Sequence, residues 1–326
     1  MKLSVILIAY DMAREIPRTL QGLARNYQSG APELDYEILL VDNGSPEPVD
    51  PASFAQVDAP VRLIRIDNAQ PSPAQAINAT VAEARGELLC LMIDGAHLLT
   101  PGVFELALAA DRAFDRAVSG VRYFFLGPDE QNVSITKGYD QAEEDRLLLQ
   151  AHWPDNGYGL FEIGSPLRAG AQNITWFNRM FEANCLFLSK ALFSEIGGVE
   201  EAFDAPGGGF LNLDLYKRAC EFPGTQHVIL PGEGTFHQFH GGVTTGGDAR
   251  DRREALIGEI RDQYRQIRGE DFQRPETQPI YLGCMPPQAI RFLELSCAQV
   301  REHERVREPA QDAAAWSNVE PLLRQA

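Results

Sequence analysis

A chain of 326 residues, 44% of them hydrophobic, can bury the core of one large domain, or of one domain with an appendage, without a metal or disulfide staple. Its formal charge of −17 excludes a generally basic surface for nucleic acid or an anionic membrane, although a local cation or helix N-terminus can still attract an anionic ligand. The five cysteines form no Cys-x-x-Cys pair, and no leader or membrane-spanning run is evident, so a reducing, cytoplasmic setting is expected.

In chain order, residues 3–9 read as a first strand and 13–26 as a helix with Ile16, Leu20 and Leu23 at helical spacing. Residues 36–41 form a second strand, 61–66 a third, 73–84 an alanine-rich helix and 87–93 a fourth strand. Thr100-Pro101 is a helix start, with proline at the first helical position of a segment over 102–110. A further strand is expected over 117–125. Repeated strand–helix–strand units imply right-handed crossovers and a mostly parallel sheet, hence an α/β fold.

Two of these strands are apolar throughout and end on aspartate near glycine: Val41-Asp42-Asn43-Gly44 and Ile93-Asp94-Gly95. Such strands belong to a sheet covered on both faces, whose ligands bind at the carboxyl ends of the strands. Both aspartates are therefore expected on one rim, facing one crevice. The first strand-to-helix turn, Ala9-Tyr10-Asp11-Met12-Ala13, lacks the glycines of a dinucleotide-binding site, which argues against a dehydrogenase.

The pattern changes after residue 126. One acidic helix over 139–150 lies among glycine-, proline- and aromatic-rich stretches, where Trp153, Tyr158, Trp176 and Phe177 could floor a binding site or form local core. Strand character returns over 182–188, followed by helices over 190–196 and 210–221. Helices over 250–268 and 287–306 close the pattern, the second with Ile290, Leu293, Cys297 and Val300 on one stripe. That stripe suits packing on the sheet domain or on another copy. An alanine-rich tail after Glu308 reads as a loosely docked helix.

The ordered set Ser4-Val-Ile-Leu-Ile-Ala-Tyr10, Asp42-Asn-Gly-Ser45, Asn68, Ile77-Asn78, Arg85-Gly86-Glu87, Asp94-Gly-Ala-His97 and Thr100-Pro-Gly102 resembles the family 2 glycosyltransferases. The resemblance continues through Cys185–Phe203, Gly209–Arg218 and His240–Thr245. It implies a GT-A domain over residues 1–245, with a nucleotide-binding part (1–126), an acceptor and catalytic part (127–245), and a C-terminal helical extension (246–326).

The resemblance further implies an inverting, metal-assisted transfer of a sugar from a nucleotide-diphosphate donor, a UDP-sugar foremost, to a saccharide or related acceptor. It places Asp42 on the nucleotide base with Tyr10 as a wall, and makes Asn68 and Asn78 further nucleotide-sugar-binding candidates; Arg85 could approach a phosphate. A turn-capping role for Asp42 and a helix-end role for Arg85 are the alternatives. Asp94 matches the first acid of the family's Asp-x-Asp, which holds Mn2+ or Mg2+ on the diphosphate. The third position is Ala96, and His97, His237 and His240 are the further candidate ligands.

In the family's Glu-Asp-x-Asp pattern, Asp214 matches the last acid, and Asn212 stands where the base would be. An amide cannot accept the proton. Asp214, Asp204 or Glu201 then serves as base, or Asp214 merely stabilises a helix N-terminus. If none serves, the chain is a catalytically impaired nucleotide-sugar-binding module.

Overall fold

The computed structural model describes residues 1–169, 172–173, 175–241 and 250–307. Strand β1 (Leu3–Ala9) and β2 (Tyr36–Asp42) are buried at every position, as continuous apolar runs require. They are followed by helix α1 (Ile16–Gln21, between them in sequence), β3 (Val61–Arg65), α2 (Ala74–Glu83), β4 (Leu88–Met92), β5 (His97–Leu99) and α3 (Val103–Ala113). Next come β6 (Ala117–Gly120), β7 (Tyr123–Leu126), α4 (Gln131–Ile135), α5 (Gln141–Gln150), α6 (Leu160–Ile163) and β8 (Gly164–Pro166). A short β9–β10 pair (Arg168–Ala169, Gln172–Asn173) precedes β11 (Leu186–Ser189), α7 (Lys190–Glu195), α8 (Leu211–Glu221), β12 (Gln226–Ile229) and β13 (Thr235–His237). The C-terminal elements are α9 (Arg250–Arg268), β14 (Ile280–Tyr281) and α10 (Ile290–Arg307).

The main sheet has the order β14-β12-β6-β11-β4-β1-β2-β3, parallel except for β11, which runs antiparallel to both neighbours. Parallel register places Ala9 beside Asp42 and Leu7 beside Met92. The carboxyl ends of β2 and β4 therefore flank that of β1 on one rim, as the sequence implies.

A second sheet, β5-β13-β7-β8, carries His97 and His237 beside Asp94. It arises because the strand expected over 117–125 is really two. At Arg122 the chain leaves the main sheet; the buried guanidinium donates to the carbonyls of Trp176 (3.2 Å) and Asn178 (2.6 Å). β13 then lies between β5 and β7, pairing His237 with His97 on one side and with Phe125 on the other.

Helix α1 spans six residues instead of 13–26, because the chain after it forms turns held by Gln28 Nε2 on the carbonyls of Gly22 (2.7 Å) and Thr100 (3.0 Å). In the C-terminal extension, Ile260 and Tyr264 of α9 and Phe292 of α10 are buried in the core, and β14 is the eighth strand of the main sheet. The buried face of α10 centres on Phe292 and Ser296; Ile290, expected on the packing stripe, is 44% exposed. The expected boundary at residue 245 and the tail after Glu308 lie outside the described residues. The five cysteines are free, and no described helix is long and apolar enough to cross a membrane.

Candidate active site

Asp94 follows β4 at the carboxyl rim, and its backbone is gripped by one side chain. Its N–H donates to Asn184 Oδ1 at 2.7 Å, and Asn184 Nδ2 donates back to the Asp94 carbonyl at 2.9 Å. Gly95 follows because a Cβ there would stand 2.5 Å from the Ile8 carbonyl oxygen. Asp94 Oδ1 accepts the Ala96 N–H at 2.9 Å, closing a local turn and leaving Oδ2 to the crevice.

Three imidazoles converge on that oxygen. His237 Nε2 lies 3.3 Å from Asp94 Oδ2, His240 Nε2 3.5 Å and His97 Nε2 4.0 Å. His237 and His240 also face each other, Nε2 to Nε2, at 3.0 Å. The ligand atoms of Asp94, His237 and His240 lie within 4.8 Å of one another, a spacing that one metal ion can bridge. His97 is fully buried, edge-on to Tyr123 (4.8 Å) and His237 (5.1 Å), and neither of its ring nitrogens has a hydrogen-bond partner among the described residues. Ala96, at the place of the second acid of Asp-x-Asp, is buried and offers no ligand.

The histidine-bearing segment is anchored residue by residue. Gln238 N–H donates to the Ala96 carbonyl (2.8 Å), while its side chain donates to Thr19 Oγ1 (3.0 Å) on α1. Phe239 N–H donates to Glu144 Oε2 (2.5 Å), and Gln131 Nε2 donates to the His240 carbonyl (2.7 Å). Glu144, from α5, is fully buried and also accepts from Arg14 (3.2 Å) and Arg18 (3.4 Å) of the α1 region. Nothing in the sequence joins Glu144 or Asn184 to this site, since each acts across roughly ninety residues.

Burial opposes ionisation of Asp94, but the charge of His240 and the hydrogen bonds of both histidines hold its carboxyl well below the usual range. Burial drives His97 down to about 3 against the attraction of Asp94, so this ring is neutral. Burial also lowers His237, whereas Asp94 outweighs burial at His240 and raises it.

At the nucleotide end, Tyr10 is 55% exposed just beyond β1, free to present its ring. Asp11 adopts a positive φ of 53° and its N–H donates to Ser45 Oγ at 2.9 Å, tying the first turn to the second. Asp42 takes up the turn-capping contacts. Its side chain is 1% exposed, and the carboxylate accepts from Ser45 N–H (3.0 Å), Val49 N–H (3.0 Å) and Arg65 Nη1 (2.8 Å). The backbone reaches the rim, but the carboxylate faces its own turn.

Asn68 is exposed in the turn after β3. Asn78 bonds both backbone groups of Val199 at 2.9 Å and Glu201 Oε1 at 2.9 Å, so it fastens α2 to the loop after α7 instead of meeting a ligand. Arg85 precedes β4, at the amino end of the strand whose carboxyl end leads to Asp94. That strand alone separates them by roughly 16 Å, which removes Arg85 from the crevice.

The expected bases are displaced as well. Asp214 is 2% exposed and accepts from Arg218 Nε (2.7 Å), Arg268 Nε (2.6 Å) and Arg268 Nη2 (2.8 Å). A carboxylate so enclosed holds α8 to α9. Asp204 is exposed and accepts from Gln263 of α9 (2.6 Å), and Glu201 is held by Asn78. Asn212 donates through Nδ2 to Glu182 Oε2 at 3.2 Å, and its own Oδ1 is buried without a partner among the described residues. Trp176, a candidate for the sugar floor, is fully buried against Phe124 and Phe161 and belongs to the core.

Comparison with known proteins adds to this geometry. Residues 4–164 match the model of Glycosyl transferase family 2. Over 280 residues the chain is 25% identical to the uncharacterized protein y4gI of Sinorhizobium fredii (strain NBRC 101917 / NGR234), which covers 85% of this chain and only 28% of that protein. The chain thus spans less than a third of that relative's length. Among solved structures, S. aureus TarS 1–349 in complex with UDP-GlcNAc aligns at TM-score 0.50 and 12% identity, covering 97% of this chain and 75% of that one. GalNAc-T7 with UDP, GalNAc and Mn2+ aligns at TM-score 0.50 and 14% identity, covering 80% and 48%. At these identities the likeness is one of fold, and the fold is GT-A.

Proposed function

We propose, from the premise that this chain carries a family 2 glycosyltransferase domain, that it moves a sugar from a nucleoside diphosphate donor to a hydroxyl of a saccharide or related acceptor. The convergence of His237 and His240 on Asp94 Oδ2 at the carboxyl rim carries this reading. A UDP-sugar is the donor class we favour, in keeping with the UDP and UDP-GlcNAc held by proteins of this fold.

Asp94, His237 and His240 would hold a divalent cation, and two imidazoles with one carboxylate favour Mn2+ over Mg2+. When bound, the ion would neutralise negative charge on the departing diphosphate. Asn184 fixes the direction of Asp94, and Glu144, Gln131 and Gln238 fix the histidine segment, so the donor set is preorganised. Tyr10 offers a face to the nucleotide base. Inversion follows if an acceptor hydroxyl attacks the anomeric carbon from the side opposite the diphosphate. The free cysteines fit a reducing, cytoplasmic location.

The test is release of nucleoside diphosphate from a panel of nucleotide sugars with Mn2+ and mixed saccharide acceptors. Neither binding nor hydrolysis of any donor would refute the reading. The enclosure of Asp214 by two arginines, together with Asn212, favours a second reading, a binding module without turnover. Donor binding without release of diphosphate under any acceptor would select it.

A further inference from the structure

We propose that Glu182 supplies the carboxylate that takes the acceptor proton, replacing the acid that position 212 lacks. The inference deepens the glycosyltransferase reading and rests on it.

The Glu182 side chain meets α8 at its first turn, where Asn212 Nδ2 donates to Oε2 at 3.2 Å. A carboxylate from the segment before β11 thus reaches the Asn212 side chain. Glu182 is also two residues before Asn184, which grips the Asp94 backbone, so the short segment that carries it is tied to the crevice at Asn184. It is half-buried, neither sealed in the core nor loose in solvent. Among the described residues its one hydrogen bond is to a neutral amide, and the other carboxylate oxygen has no partner there.

The competing acids are otherwise engaged. Asp214 is enclosed by Arg218 and Arg268, Glu201 by Asn78, and Asp204 by Gln263. Glu233 is 1% exposed and accepts from Thr100, Gly102 and Tyr158, just ahead of α3. Burial and the charge of Asp94 push the Glu182 carboxyl up to about 7, against the hydrogen bond of Asn212. A carboxylate with that basicity is matched to taking a proton near neutrality.

The step balances without a further reagent. The acceptor O–H gives its proton to Glu182, and the freed oxygen pair forms a bond to the anomeric carbon of the donor sugar. The bond from that carbon to the diphosphate oxygen breaks, and its electron pair leaves with the nucleoside diphosphate.

Glu182→Gln keeps the shape and an oxygen for Asn212, so the variant should fold, which near-ultraviolet circular dichroism checks. Diphosphate release from UDP-GlcNAc, UDP-glucose, UDP-galactose and GDP-mannose is measured with Mn2+ and mixed oligosaccharide acceptors. The expected kcat loss is at least a hundredfold, while calorimetric affinity for UDP stays within threefold. Adding Asn212→Asp to that variant should recover at least tenfold, by returning a carboxylate to the same place. A kcat loss below a hundredfold, or no recovery in the double variant, overturns the assignment. Wild-type protein that binds no donor at all would instead refute the glycosyltransferase reading, and binding without turnover would refute both.

Discussion

His237 and His240 face each other through Nε2 atoms 3.0 Å apart, and both look onto the same oxygen of Asp94. The pair exists because β13 ends between β5 and β7 and the next three residues are each pinned to a different element. Two imidazoles in such contact share at most one proton between the facing nitrogens, and a cation would displace it.

Asp94→Ala should therefore lower turnover by orders of magnitude while leaving the fold almost untouched, because the group sits at a strand end. A kinetic loss below tenfold, about 1.4 kcal/mol of transition-state stabilisation, would make Asp94 merely structural. Steady-state kinetics beside a thermal melt would decide.

Asp214→Asn should behave in the opposite way. It leaves Arg218 and Arg268 facing an amide in a buried site, a loss of about 3 kcal/mol in chemical denaturation. The folded fraction should keep kcat within threefold. A large kcat loss with unchanged stability would restore Asp214 as the base.

Glu144→Ala should couple stability to the site. It strands Arg14 and Arg18 and frees the Phe239 N–H, at a cost of about 2–3 kcal/mol given the partial exposure of the arginines. Mn2+ affinity, measured by calorimetry, should fall at least tenfold because the histidine segment loses an anchor. Unchanged affinity would show that the segment holds itself.

Stability should fall as pH drops from 6.5 towards 4. His227, which contacts Tyr216 at 2.6 Å, is driven down to about 4 by burial, and His97 to about 3. Between these values and the unfolded value near 6.5, the unfolded chain binds more protons, so acid favours unfolding. The stabilising contribution is whole above pH 6.5. Denaturation midpoints of wild type and His227→Gln across this range would check the sign, with a shallower dependence expected in the variant.

The parallel half of the fold was legible because β1, β2 and β4 are apolar at every position, a pattern few other elements share. The rim followed from where those runs end. β5 and β13 were not legible, since three-residue strands owe their existence to partners more than a hundred residues away. Asp94 and the histidines were readable as candidates, but their meeting was not. The orientation of Asp42 was not legible: an acid at a strand end can turn to the crevice or to its own loop, and here its carboxylate accepts from Val49 and Arg65. Glu182 escaped notice because its relation to Asn212 is a contact between an irregular segment and a helix thirty residues on.

The most direct test is calorimetric titration of UDP into wild-type protein and Asp94→Ala, each with and without Mn2+. Wild type should bind UDP only with Mn2+ present, and Asp94→Ala should abolish that binding. Equal affinity with and without the ion, or binding that survives the substitution, would contradict this.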